Sequence, residues 1–187
     1  MNVPAFLVIS CSLHPQSKSR RLADEAAACL RQLGEPVESI DLRDFELPIC
    51  DGDSSHSTPS ARQLREKIAA ASAVLLAAPV YNYDVNAAAK NLVELTGSAW
   101  EGKLVGLLCA AGGRSSYMSP AGLANSLMFD FRCWIIPRFV YAAKADFDHG
   151  GKLSGAIQAR VEQLARAAVD QVRALDWLKN NNSGPAD

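Results

Sequence analysis

The chain has 187 residues, 49% of them hydrophobic, with a formal net charge of -1. That length suits one domain with ample apolar content for a full core. The near-neutral charge excludes a global field for nucleic acid or an anionic membrane surface, and no apolar run approaches the roughly 20 residues that span a bilayer.

An apolar run over residues 5–11 reads as a strand covered on both faces, as in a parallel sheet. Polar residues 12–19 follow as a loop. Residues 20–33 then carry Leu22, Ala26, Cys29 or Leu30, and Leu33 on one helical face, with Gly34 as C-cap. Residues 37–42 alternate enough for a short strand near an edge. Residues 46–60 form the longest irregular segment, a length associated with function or mobility. A helix opens at Pro59 or Ser60 and runs to about Ala71, and a third strand spans residues 73–78.

That strand stops at Ala77-Ala78-Pro79-Val80-Tyr81-Asn82-Tyr83-Asp84-Val85-Asn86, and a helix continues to about Gly97. Exposed aromatics and amides between two rigid elements make a site-building pattern. The alternative is an ordinary strand-to-helix turn whose tyrosines cover the core. A fourth apolar strand, residues 103–110, leads into Ala111-Gly112-Gly113-Arg114-Ser115-Ser116-Tyr117. A helix over residues 119–131 follows, then a fifth strand over residues 133–141. Pro137 cannot donate to a ladder, which puts that strand at an edge. The last helix covers residues 152–178. One domain over residues 1–179 is expected, with residues 180–187 as a disordered tail.

Five alternations of strand and helix predict a doubly wound α/β fold. An edge position for Pro137 fits the flavodoxin-like order 2-1-3-4-5, a five-stranded parallel sheet with helices on both faces. In that order the crevice lies beyond the carboxyl ends of strands one and three. The loops that meet there are residues 12–19, 79–86 and 111–117.

The first loop places hydroxyls ahead of a helix N-terminus, where unpaired amides and the helix dipole favour an anion. A phosphate monoester is the natural ligand, although a plain N-cap would explain Ser17 or Ser19 alone. Neither a P-loop nor a G-x-G-x-x-G fingerprint is present. No nucleophile elbow or H-E-x-x-H zinc motif occurs either, so no catalytic residue is named. The cysteines Cys11, Cys29, Cys50, Cys109 and Cys133 are odd in number and lack paired spacing. They read as buried, reduced thiols of a cytoplasmic protein, without a metal site. The start Met1-Asn2-Val3-Pro4 lacks signal-peptide features. His56 and His149 are expected to be solvated, and Asp146-Phe147-Asp148-His149 to be a solvent-facing loop.

Ser10-Cys11-Ser12-Leu13-His14-Pro15-Gln16-Ser17-Lys18-Ser19 resembles the G-S-L-R-x-x-S-x-N phosphate loop of the NAD(P)H-dependent FMN reductase family. Pro79-Val80-Tyr81-Asn82 is similar to its P-x-Y-N segment, with Lys90-Asn91 in the following helix. Gly112-Gly113 falls where that family has its third flavin loop. The resemblance covers about residues 6–141. It implies that Ser12, His14, Ser17 and Ser19 hold the FMN phosphate. It also implies that Pro79, Val80, Tyr81, Asn82 and Tyr83 line the ring, and that Ala111, Gly112 and Gly113 approach its polar edge. Cys11 stands where the family has glycine and His14 where it has arginine, and Asn86-Ala87 replaces a Pro-Gly pair.

The implied activity is hydride transfer from NADPH or NADH to FMN, then reduction of a quinone, azo dye, metal ion or free flavin. A homodimer, or a tetramer, is implied as well, and the apolar helix around Met118 and Met128 offers an interface. An electron-carrier flavodoxin and a flavin-free binding module are the alternatives. A carrier would show a threonine- and glycine-rich phosphate loop and a markedly acidic surface.

Overall fold

The computed structural model describes residues 6–181. In chain order its elements are β1 (Phe6–Ser10), α1 (Lys18–Gln32), β2 (Val37–Asp41), α2 (Pro59–Ala70), β3 (Ala73–Tyr81), β4 (Asp84–Val85), α3 (Ala87–Thr96), β5 (Leu104–Ala110), α4 (Pro120–Phe131), β6 (Trp134–Ile135), β7 (Val140–Ala142) and α5 (Gly155–Asn181). β1 pairs in parallel with both β2 and β3, and β3 pairs in parallel with β5. Both β6 and β7 pair in parallel with β5, on its outer side. This is the flavodoxin-like order, with the last position shared by two short pieces.

Continuous apolar runs form these central strands because both faces are covered. Phe6, Val8, Leu75, Ala77 and Leu108 pack with buried residues of α1 and α5. Their neighbours Leu7, Ile9, Val74, Leu76 and Leu107 pack with α2, α3 and α4 on the other face. The two-residue period of a strand produces this division directly. α1 ends as its sequence predicts. Gly34, at φ +81°, lets its N–H donate to Arg31 O at 3.0 Å and that of Glu35 to Leu30 O at 3.1 Å.

Four expectations change. The fifth strand, residues 133–141, is not continuous. Ile136 N–H donates to Val105 O at 2.9 Å, and the ladder then breaks at Pro137, which has no N–H. Pairing resumes at Val140. The third strand runs on to Tyr81 and turns back as a short hairpin, with Tyr81 opposite Asp84 and Val80 opposite Val85. Residues 46–60 are tied down on α3: Asn91 accepts from Cys50 N–H at 2.8 Å and donates to Pro48 O at 2.9 Å. The last helix continues to Asn181, and residues 182–187 of the expected tail lie outside the described residues.

Candidate functional site

The carboxyl ends of β1, β3 and β5 lie side by side, and a cleft of about 260 Å³ opens above them. It sits where the connections reverse direction, the usual ligand position in an open α/β sheet. Ser12, His14, Gln16, Ser17, Lys18 and Ser19 form one end. Pro79, Val80 and Tyr81 form one wall, and Ala110, Ala111, Gly112 and Lys144 form another.

The polar end is built by the start of α1. Ser17 is its N-cap, accepting from Arg20 N–H at 3.1 Å, and Ser17 Oγ lies 2.9 Å from Ser19 Oγ. Ser12 Oγ accepts from His14 N–H at 3.2 Å. His14 Nδ1 accepts from Gln16 N–H at 3.0 Å, so the proton of the neutral ring sits on Nε2. The loop is thus folded by its own hydroxyls and imidazole, and the first turn of α1, whose amides lack helical partners, begins inside the cleft. Lys18 adds a positive charge there, and its Nζ lies 5.2 Å from the centre of the Phe147 ring.

Cys11 does not intrude on this end. It is fully buried in the core beside α2 and α3, with ordinary backbone geometry, and burial pushes its thiol far up. Its carbonyl accepts from Asn86 Nδ2 at 2.8 Å. Asn86 is the N-cap of α3, so this bond clamps the first loop to the hairpin.

The other walls suit a flat ring. Pro79 and Val80 are apolar and rigid, held in the sheet with β5 and β4. A Cβ placed on Gly112 would meet nothing within 4 Å, so space is open above its backbone. The loop beyond is fixed by Tyr141, whose hydroxyl donates to Gly113 O at 2.7 Å, and by Tyr117 packed on Phe139 and Tyr141.

Asn82, Tyr83 and Gly113 lie outside the lining of the cleft. Asn82 and Tyr83 form the hairpin turn at its rim, at φ +51° and +66°. Gln16, Lys18 and Lys144 line it although sequence reasoning did not select them. Lys18 had a signal, a basic residue at the phosphate-loop helix start. Lys144 had one only through the fold, since it follows the last strand at its carboxyl end.

A larger depression of about 700 Å³ lies on the outer side of the first loop, around Lys18, Arg20, Arg21, Asp24, Asp148 and His149. Its charged lining lacks the apolar walls that a ring system needs. The smaller cleft has both an anion-binding end and such walls. Among the described residues, no group of three or more His, Cys, Asp or Glu is placed to hold a metal ion. No described helix is long and apolar enough to cross a membrane.

Comparison with known proteins gives a consistent result. A family model described as NADPH-dependent FMN reductase matches residues 4–148. An NAD(P)H-dependent FAD/FMN reductase of Geobacillus thermodenitrificans is 25% identical over 136 residues, 71% of this chain and 74% of that protein. An oxidoreductase of Corynebacterium diphtheriae superposes with a TM-score of 0.75 at 19% identity, covering 93% of this chain and 99% of that one. FerB of Paracoccus denitrificans, an NAD(P)H:(acceptor) oxidoreductase, gives 0.71 at 22% identity, covering 92% and 98%. A flavodoxin from the domain Archaea gives 0.63 at 12% identity, covering 90% and 98%, a likeness of fold alone.

Proposed function

The chain belongs to the NADPH-dependent FMN reductase family, an NAD(P)H-dependent oxidoreductase with FMN as cofactor, and from that premise we propose how its cleft works. Ser12, His14, Ser17 and Ser19, with Lys18 and the first turn of α1, hold the FMN phosphate. Pro79, Val80 and Tyr81 flank the ring, with Asn82 and Tyr83 at its outer rim. Ala111, Gly112 and Gly113 approach its polar edge through backbone groups. The observation that carries this reading is the single cleft that joins a helix-start anion site to a flat apolar wall.

Held by these residues, FMN would supply the redox chemistry, hydride acceptance from NADPH or NADH and electron delivery to an acceptor. The protein's part is to bind, orient and shield. Lys18 and the α1 dipole neutralise the phosphate. Pro79, Val80 and Ala110 exclude water from one side of the ring, and Tyr81, 55% exposed, borders the open side where nicotinamide and acceptor take turns. No side chain of the cleft is required as a proton donor.

The acceptor is a small molecule of the quinone, azo dye, metal ion or free flavin type. The protein works in the cytoplasm as a homodimer. Equilibrium titration with FMN tests the assignment: Lys18→Ala and Ser17→Ala weaken binding by about tenfold each, a loss of roughly 1.4 kcal/mol. Unchanged affinity in both variants would remove the phosphate assignment. An electron carrier would bind FMN but leave NADPH unoxidised, and a flavin-free module would bind none.

A further inference from the structure

We propose that Cys50 and His56 form a second reactive site, a base-assisted thiol that takes low-molecular-weight disulfides into a mixed disulfide. The site shares no residue with the cleft.

The His56 ring was expected to be solvated, but it is half-buried between two partners. Its Nδ1 lies 3.4 Å from Leu95 O on α3, and its Nε2 lies 3.8 Å from Cys50 Sγ. A carbonyl oxygen only accepts, so Nδ1 carries the proton. In the neutral ring Nε2 then presents a lone pair, and it faces the thiol. Cys50 therefore donates to His56 Nε2, the arrangement of a nucleophile and its base.

Both members are fixed by the elements around them. Asn91 of α3 holds the Cys50 amide. Arg65 of α2 donates to His56 O at 2.9 Å and to Leu95 O at 3.0 Å, so one guanidinium secures the histidine backbone and the carbonyl that sets its tautomer. The neighbouring Asp51 carboxylate is occupied elsewhere, by the hydroxyls of Ser54 and Ser55 and the amides of Asp53 and Ser55. It does not compete for the imidazole.

Access separates this thiol from the rest. Cys50 is half-buried, between Ile49, which is 79% exposed, and the exposed residues 51–54. Cys11, Cys29, Cys109 and Cys133 are buried. Burial pushes the Cys109 thiol up to about 12 and that of Cys133 to about 11, which keeps both protonated and unreactive near neutrality.

The chemistry balances as an exchange. The Cys50 proton passes to His56 Nε2, and Sγ attacks one sulfur of the disulfide. The new S–S bond forms as the old one breaks, and the leaving thiolate takes the proton back from His56. One mixed disulfide and one free thiol result, with no net oxidation.

The test uses the full chain at pH 7 with a chromogenic aromatic disulfide, followed by peptide mapping. One thiol equivalent is released rapidly and maps to Cys50, faster than cysteines of the same chain unfolded in guanidinium. Cys50→Ser abolishes that phase. His56→Asn, which keeps a donor for Leu95 O but no base, slows it by about threefold or more. The proposal is overturned if the rapid equivalent maps to another cysteine, or if folded Cys50 reacts no faster than the unfolded chain. A His56→Asn variant that folds and reacts at the parent rate would overturn it as well.

Discussion

Tyr83 and Asn82 hold positive φ angles of +66° and +51°, the pair that a two-residue hairpin turn requires. A side chain with a Cβ costs about 1–2 kcal/mol in this region, and the Tyr83 ring, 57% exposed, recovers little of that by burial. Strain kept at the rim of a binding cleft marks a turn retained for its side chain. Tyr83→Gly should therefore raise the unfolding free energy by about 0.5–1 kcal/mol, after allowing for the greater unfolded entropy of glycine. The denaturant midpoint measures it, and a lowered midpoint would contradict the strain. Asp51 carries a different prediction. The Ser55 hydroxyl, the Asp53 and Ser55 amides and the Ser54 hydroxyl hold its carboxyl well below the usual carboxylate range. A depressed folded value contributes stability that is fully present above about pH 4, the unfolded value, and is lost as pH falls below it. Wild type should melt above Asp51→Asn at pH 6, and the gap should shrink on acidification below pH 4. A gap that widens there would reverse the sign.

β5 lies between β3 and the edge pieces, and Gly106 is its narrow point. A Cβ there would come 2.5 Å from Leu75 Cδ2 and 3.2 Å from Leu164 Cδ1. Both leucines are fully buried, one in β3 and one in α5, so neither has room to withdraw. Gly106→Ala should cost about 1–3 kcal/mol, read as a lower melting temperature, and an unchanged value would show that the sheet and α5 separate freely. The central strands were legible because an apolar run buried on both faces needs no tertiary context to be recognised. Pro137 was legible as an edge marker for the same local reason, a missing donor. The hairpin of β3 and β4 was not, since Asn82-Tyr83 lacks the glycine that announces such a turn. The anchoring of residues 46–60 was hidden too, because it depends on Asn91, more than thirty residues away, and on Arg65. Likewise Lys144 reaches the cleft only through the sheet order, whereas Ser12, Ser17, Pro79 and Gly112 could be found from loop chemistry and motif.

At the scale of the whole molecule, the sheet brings three loops to one edge and leaves an apolar surface at another. Phe129 on α4 is 82% exposed and Trp134 on β6 is 61% exposed, with Met128 partly exposed beside them. Exposed apolar side chains of this kind favour a protein partner, and a homodimer is the expected use. Light scattering should give twice the chain mass for wild type and a single mass for Phe129→Asp combined with Trp134→Ser, with the far-UV spectrum unchanged. A monomeric wild type would contradict that assembly. The cleft itself is tested most directly by the visible spectrum of the purified protein with FMN added, recorded anaerobically before and after NADPH. The expected result is a perturbed flavin band on binding that bleaches when NADPH is supplied. Failure to bind FMN even in excess, or a bound flavin that stays oxidised, would contradict the assignment of this cleft as the site of NADPH-dependent flavin reduction.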